Sequence, residues 1–209
     1  MEWDAFFRSY WKFYLRLEKE FWEIIQYIEF EPKNYPTYSL KLMQLLLNVG
    51  AEVDAVMKEL CGIDGSNRTT IADYAKVLLS KYPQITEQKV CVFHHSLVLI
   101  PFVDWNEEKP SQSLHFWNAY NEVKHNRADN YTLASLEVVA NALAALFTLN
   151  MYGLNDIYLA KGNLHHNIPE ENDASKLFYL DAWTERIRVS AVKYHYRVYD
   201  DDEKKEITF

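Results

Sequence analysis

LASLEVVANALAALFTLNMY, residues 133–152, decides the fold class. Leu133, Leu136, Ala140, Leu143, Ala144, Phe147 and Met151 recur every three or four positions, which places them on one face of an α-helix. Ala140, Ala142, Ala144 and Ala145 are small enough to let a neighbouring helix approach closely. The most apolar part, residues 140–149, contains Asn141 and falls short of the roughly 18 apolar residues that a bilayer demands. It therefore reads as the core helix of a bundle, and no membrane partner is expected.

Working outward, the same period recurs. Over residues 3–30 the positions Trp3, Phe6, Phe7, Tyr10, Tyr14, Leu17, Phe21, Ile24, Ile25 and Ile28 form an apolar stripe, with Arg8, Lys12, Arg16 and Glu18 between them. Glu31-Pro32 stops that helix, and residues 32–36 form a loop. A second helix is expected over 40–61, ended by Gly62, Asp64 and Gly65. A third, over 71–81, starts from a Thr69 or Thr70 cap and is closed by Pro83. Residues 88–103 (QKVCVFHHSLVLIPFV) are β-branched and aromatic and predict one or two short strands. Ser113 is the expected cap of a fourth helix, 114–127, and the quoted stretch is the fifth. Beyond Gly153 the periodicity loosens: 156–160, 176–180 and 186–199 look strand-like or irregular, 162–173 is polar, and the acidic tail 200–206 is expected to fray. The fold class is thus mainly α, a helical bundle over 1–152 with a small β-containing C-terminal appendage over 153–209.

Composition narrows the function classes. Hydrophobic residues at 49% with only five glycines support a real core, so intrinsic disorder is excluded. A net charge of −8 argues against general DNA binding or a nucleic-acid coat, although it says little about one cleft. Cys61 and Cys91 lie in apolar surroundings and suit a reducing compartment. The N-terminal stretch MEWDAFFRSYWKFY has no basic region followed by an apolar core, so a cytoplasmic location is expected.

The chemistry concentrates on the fourth helix. Trp117, Tyr120, Asn121, Lys124 and His125 fall at i, i+3, i+4, i+7 and i+8 and share one stripe. A stripe that opens with Trp and Tyr would ordinarily continue with Leu or Val. Here it continues with an amide, an ammonium and an imidazole, each costing about 1–3 kcal/mol to bury without a partner. Such a stripe either lines a cleft or builds a polar network. Arg127, three positions past Lys124, would join them at the helix end. Supporting partners are expected from the second helix (Glu52, Asp54, Lys58) and the fifth (Glu137, Asn141). On the structural side, the helix macrodipole favours Lys124, His125 and Arg127 near a C-terminus, but it does not account for Asn121.

The segment FWNAYNEVKHNR followed by VVANALAALFTLNMY resembles divergent members of the HEPN superfamily over about residues 38–152. The resemblance rests on an Asn-x-x-Lys-His-x-Arg signature and helix order. It implies a small all-helical domain of prokaryotic defence and toxin systems, and in many members a metal-independent ribonuclease that works as a homodimer. Catalytic members place an Arg a few residues before the His, whereas here His125 precedes Arg127. Arg188 and His195 match that order formally, but Val189 stands where the family prefers a polar residue, and the pair is set aside. The resemblance then assigns His125 as general base, Arg127 and Lys124 as stabilisers of phosphorane charge, and Asn121 as an orienting amide. RNA is the implied partner, and no cofactor or metal is expected. His94-His95 and His165-His166 are adjacent pairs whose side chains point apart and cannot readily chelate one ion. His115 reads as a surface residue. The alternative is a non-catalytic interaction or dimerisation module whose polar stripe is structural.

Overall fold

The computed structural model describes residues 2–63, 69–160 and 174–181, and the backbone of strands at 187–192, 195–200 and 205–207. It is mainly α with a small β appendage, as the periodicity predicts.

The N-terminal run is α1 (Trp3–Phe6), a single π turn (Phe7–Trp11) and α2 (Lys12–Ile25), joined through helical backbone at Phe7 and Lys12. Its buried residues Phe6 and Trp11 stand five apart, followed by Tyr14, Leu17, Phe21 and Ile24 at ordinary spacing. The π turn has an i→i+5 period, and it brings Phe6 and Trp11 onto the same face. The helix stops at Ile25 rather than continuing to residue 30. Ile28 N–H folds back to Ile24 O (3.2 Å), and Phe30 reaches the core from the irregular chain after this turn.

α3 (Leu40–Cys61) begins at Ser39, whose hydroxyl accepts the Leu42 N–H at 3.1 Å. It ends at Gly62, where φ is 63°, a conformation that favours glycine. Asp64 and Gly65 lie outside the described residues. α4 (Ile71–Lys81) uses Thr70, not Thr69, as its cap: Thr70 N–H donates to Asp73 Oδ2 at 2.8 Å. β1 (Val90–Val92) and β2 (Val98–Leu99) pair antiparallel around a turn in which His94 has φ 62°.

α5 (His115–His125) and the short α6 (Arg127–Asn130) precede α7 (Leu136–Ala160). α7 packs against α1, α2, α3 and α5 and forms the centre of the bundle. Its first N–H groups are satisfied by the 35–38 loop, with Leu136 N donating to Thr37 O at 2.8 Å. Leu136–Ile157 is longer than the apolar run seen in the sequence and is long and apolar enough to cross a membrane, yet 72% of its most apolar window is buried inside the protein.

Two expectations fail along α7. The helix does not end at Tyr152, and residues 156–160 are helical rather than strand-like. Gly153 is no helix stop: a Cβ there would lie 2.4 Å from Phe6 Cζ, so this glycine lets the N-terminal run close onto α7. Further on, β3 (Phe178–Leu180) pairs with β1 to give the antiparallel order β2-β1-β3. β4 (Ile187–Val192), β5 (His195–Asp200) and β6 (Lys205–Ile207) form a second antiparallel sheet, so residues 205–207 are paired rather than frayed.

A buried carboxylate fastens the returning chain to the bundle. Glu18, 5% exposed, accepts hydrogen bonds from the Tyr14 and Ser175 hydroxyls and from Lys176 N–H (2.8 Å). Ser175 Oγ in turn accepts Phe178 N–H at 3.0 Å. Burial pushes the Glu18 carboxyl above its usual range, and these donors pull it part of the way back.

Candidate functional site

α5 does not start from Ser113. That hydroxyl donates to Lys109 O (2.8 Å) and accepts Asn106 N–H (3.1 Å), closing the 104–113 loop, and the helix begins after Leu114. The helix also ends sooner than expected. Asn126 leaves helical geometry (φ −139°, ψ 74°), and Arg127 opens α6. The break is pinned by side-chain amides: Asn126 Nδ2 donates to Asp129 Oδ2 (2.6 Å), and Asn130 Nδ2 reaches both Glu122 O and Glu122 Oε2 (3.2 Å each). Asparagine competes well with helical hydrogen bonding, which is why this Asn-rich stretch turns.

Upstream of the break the stripe is intact. Trp117 and Tyr120 are 6% and 4% exposed and pack together at 5.3 Å between ring centroids. Tyr120 lies directly on α3: a Cβ at Gly50 would come within 2.3 Å of Tyr120 Cδ2. A mid-helix glycine costs about 1 kcal/mol against alanine, and here the close crossing requires it. Lys124 lies over the Tyr120 ring, its Nζ 5.2 Å from the centroid, while His125 is exposed. Asn121 is half-buried and ties its Nδ2 to Trp117 O at 3.0 Å.

These residues line a half-open groove of about 380 Å³. Trp117, Tyr120, Asn121, Lys124 and His125 come from α5, Asp54 from α3, Thr69, Thr70 and Ile71 from the start of α4, and Ser111 from the preceding loop. Asp54 is held on both sides. Its Oδ1 accepts the Tyr74 hydroxyl at 2.9 Å, and its Oδ2 pairs with Lys58 Nζ at 3.0 Å. Burial, then the hydrogen bond to Asp54, pushes the Tyr74 hydroxyl well above its ordinary pKa, so it stays a donor.

The structure thus brings together Asn121, Lys124, His125 and Asp54. It does not add the other expected residues to that lining. Arg127 is exposed beyond the break. Glu52 is half-buried on another face of α3, near Tyr10, and burial raises its carboxyl. Glu137 sits beside Tyr35 at the start of α7, where Asn141 Nδ2 bonds Glu137 O at 3.0 Å. Residues two apart on a helix point to different faces, which separates Glu52 from Asp54. Thr69, Thr70 and Ser111 were not expected in the site; the threonines were legible only as a helix cap.

His95 packs against Phe30 (6.0 Å), His94 occupies a turn and His115 is exposed; His165 and His166 lie outside the described residues. Among the described residues no three His, Cys, Asp or Glu side chains are grouped so that they could hold a metal ion. Burial pushes the Cys61 thiol up to about 11, which keeps it protonated and unreactive. No family model matches the chain, and neither a curated protein nor a solved structure is recognisably similar to it.

Proposed function

We propose that the groove holds a segment of single-stranded RNA and that His125 cleaves it without a metal, as in HEPN-like ribonucleases of prokaryotic defence or toxin systems. The observation that carries this reading is the exposure of His125 and Lys124 at the mouth of a groove that Asn121 and Asp54 also line. A purely structural network would bury these groups against one another.

In the reaction His125 takes the proton from a ribose 2′-hydroxyl. The 2′-oxygen attacks the adjacent phosphorus, the bond from phosphorus to the 5′-oxygen breaks, and the leaving oxygen is protonated by solvent. The products are a 2′,3′-cyclic phosphate and a 5′-hydroxyl. Lys124 stabilises the charge on the phosphorane. Asn121, with Nδ2 already bonded to Trp117 O, keeps Oδ1 to orient the imidazole. Arg127 lies past the helix break, so its cation reaches RNA outside the groove or across a homodimer. With a net charge of −8 and few cations at the site, affinity depends only shallowly on salt.

A second reading has its own support. Trp117 and Tyr120 are buried, and Tyr120 fits against Gly50, so this stripe also joins α5 to α3. An interaction module needs no more than that.

The test is incubation of a mixed RNA pool with EDTA and no added metal, comparing wild type with His125→Ala. The nuclease reading expects cyclic-phosphate ends from the wild type alone. Uncleaved RNA with both proteins, or equal cleavage by both, removes it.

A further inference from the structure

Asp54 poses a physical problem for any RNA groove, because a carboxylate repels the phosphate backbone. The same group becomes an asset where a neutral donor meets it. A carboxylate has about four acceptor positions, two on each oxygen. Among the described residues one on Oδ1 is taken by Tyr74 and one on Oδ2 by Lys58, which leaves one acceptor position on each oxygen. The two partners, one on each oxygen, fix its rotamer. What remains is one acceptor on each oxygen of a side chain that lines the groove.

Among the four bases only guanine carries two neighbouring N–H donors on its Watson–Crick edge, N1–H and the 2-amino group. Adenine and cytosine set their amine beside a ring acceptor, and uracil flanks its single N–H with two carbonyls. Those acceptors would face carboxylate oxygens and be repelled.

We propose that Asp54 is a specificity determinant of this groove, taking a guanine base through both oxygens while phosphate is met by Lys124. The inference rests on the RNA reading of the site and adds to it the identity of the base.

The experiment is fluorescence anisotropy with single-stranded uridine tracts carrying one central guanosine, inosine, adenosine or uridine. A 2′-deoxy sugar at the central nucleotide and the one preceding it blocks cleavage there. Inosine keeps N1–H and loses the 2-amino group, so it removes one of the two bonds. Wild type is expected to bind the guanosine tract about tenfold more tightly than the inosine or uridine tract. Asp54→Asn, which puts a donor where an acceptor stood, abolishes that preference. Lys124→Gln weakens all four tracts alike. Should Asp54→Asn fail to fold, the guanosine-to-inosine ratio on the wild type decides by itself. Binding of all four tracts with equal affinity overturns the guanine assignment and leaves the RNA groove standing. Binding of none overturns both.

Discussion

Glu18 and Asp54 are both carboxylates on long helices, each bonded to a tyrosine hydroxyl, and they end in opposite situations. Glu18 is closed in by Tyr14, Ser175 and Lys176 N–H, and it joins α2 to the chain that returns as β3. Asp54 faces a groove with one partner on each oxygen and exposed chemistry beside it. The first arrangement spends its hydrogen bonds on holding the fold. The second keeps acceptors in reserve, which is what a binding site needs. The same residue type therefore tells little until its remaining lone pairs are counted.

The sharpest way to break this contrast is Glu18→Ala. It strips buried donors on Tyr14, Ser175 and Lys176 of their acceptor and is expected to lower the unfolding free energy by about 3 kcal/mol, measured by denaturant titration. Asp54→Ala leaves the buried Tyr74 hydroxyl without its acceptor but releases the partly exposed Lys58 to water, and is expected to lose about 1 kcal/mol. Near-equal losses would erase the distinction between a closed and an open cluster.

Gly50→Ala comes next. Helix propensity alone predicts a gain of about 1 kcal/mol. The overlap with Tyr120 instead predicts a net loss of about 1–3 kcal/mol, together with weaker RNA binding as the groove floor shifts. A more stable Gly50→Ala protein would show that the α3–α5 crossing is looser than described.

Glu18 also makes stability depend on pH. Because the folded Glu18 carboxyl binds its proton more tightly than the unfolded one, its contribution is fully present below the ordinary carboxylate range. It is lost as pH rises through the elevated folded value. The wild type should therefore show this extra decline in thermal stability with rising pH, and Glu18→Gln should remove it. An unchanged pH profile in the variant would contradict the direction of the shift.

Much of the bundle was legible in the sequence, because helical periodicity survives wherever a face is buried. The Gly62 end of α3 and the Thr70 start of α4 follow from local backbone chemistry, whereas the Ser39 cap of α3 went unread although its hydroxyl satisfies Leu42 N–H. The errors arose where a tertiary neighbour decided. Gly153 had the form of a helix stop, and only Phe6 explains why it sits mid-helix. Glu18 looked like a solvent-facing residue between apolar positions, and its partner Ser175 is 157 residues away. In the site, helical spacing counted from Trp117 placed Asn121, Lys124 and His125 on one stripe, and all three line the groove. It could not foresee that Asn126 would break the helix and carry Arg127 out of register. Nor could any local pattern show that the start of α4 would form a wall of the groove.

Whether the α5 stripe is an open site or a structural network is decided by the unfolding free energy of His125→Ala. If His125 belongs to an open site, its loss changes stability by less than about 0.5 kcal/mol, as for an exposed residue free of structural duty. A loss above about 1–2 kcal/mol would mean that the imidazole is holding helices together, and that the polar stripe of α5 is a structural network.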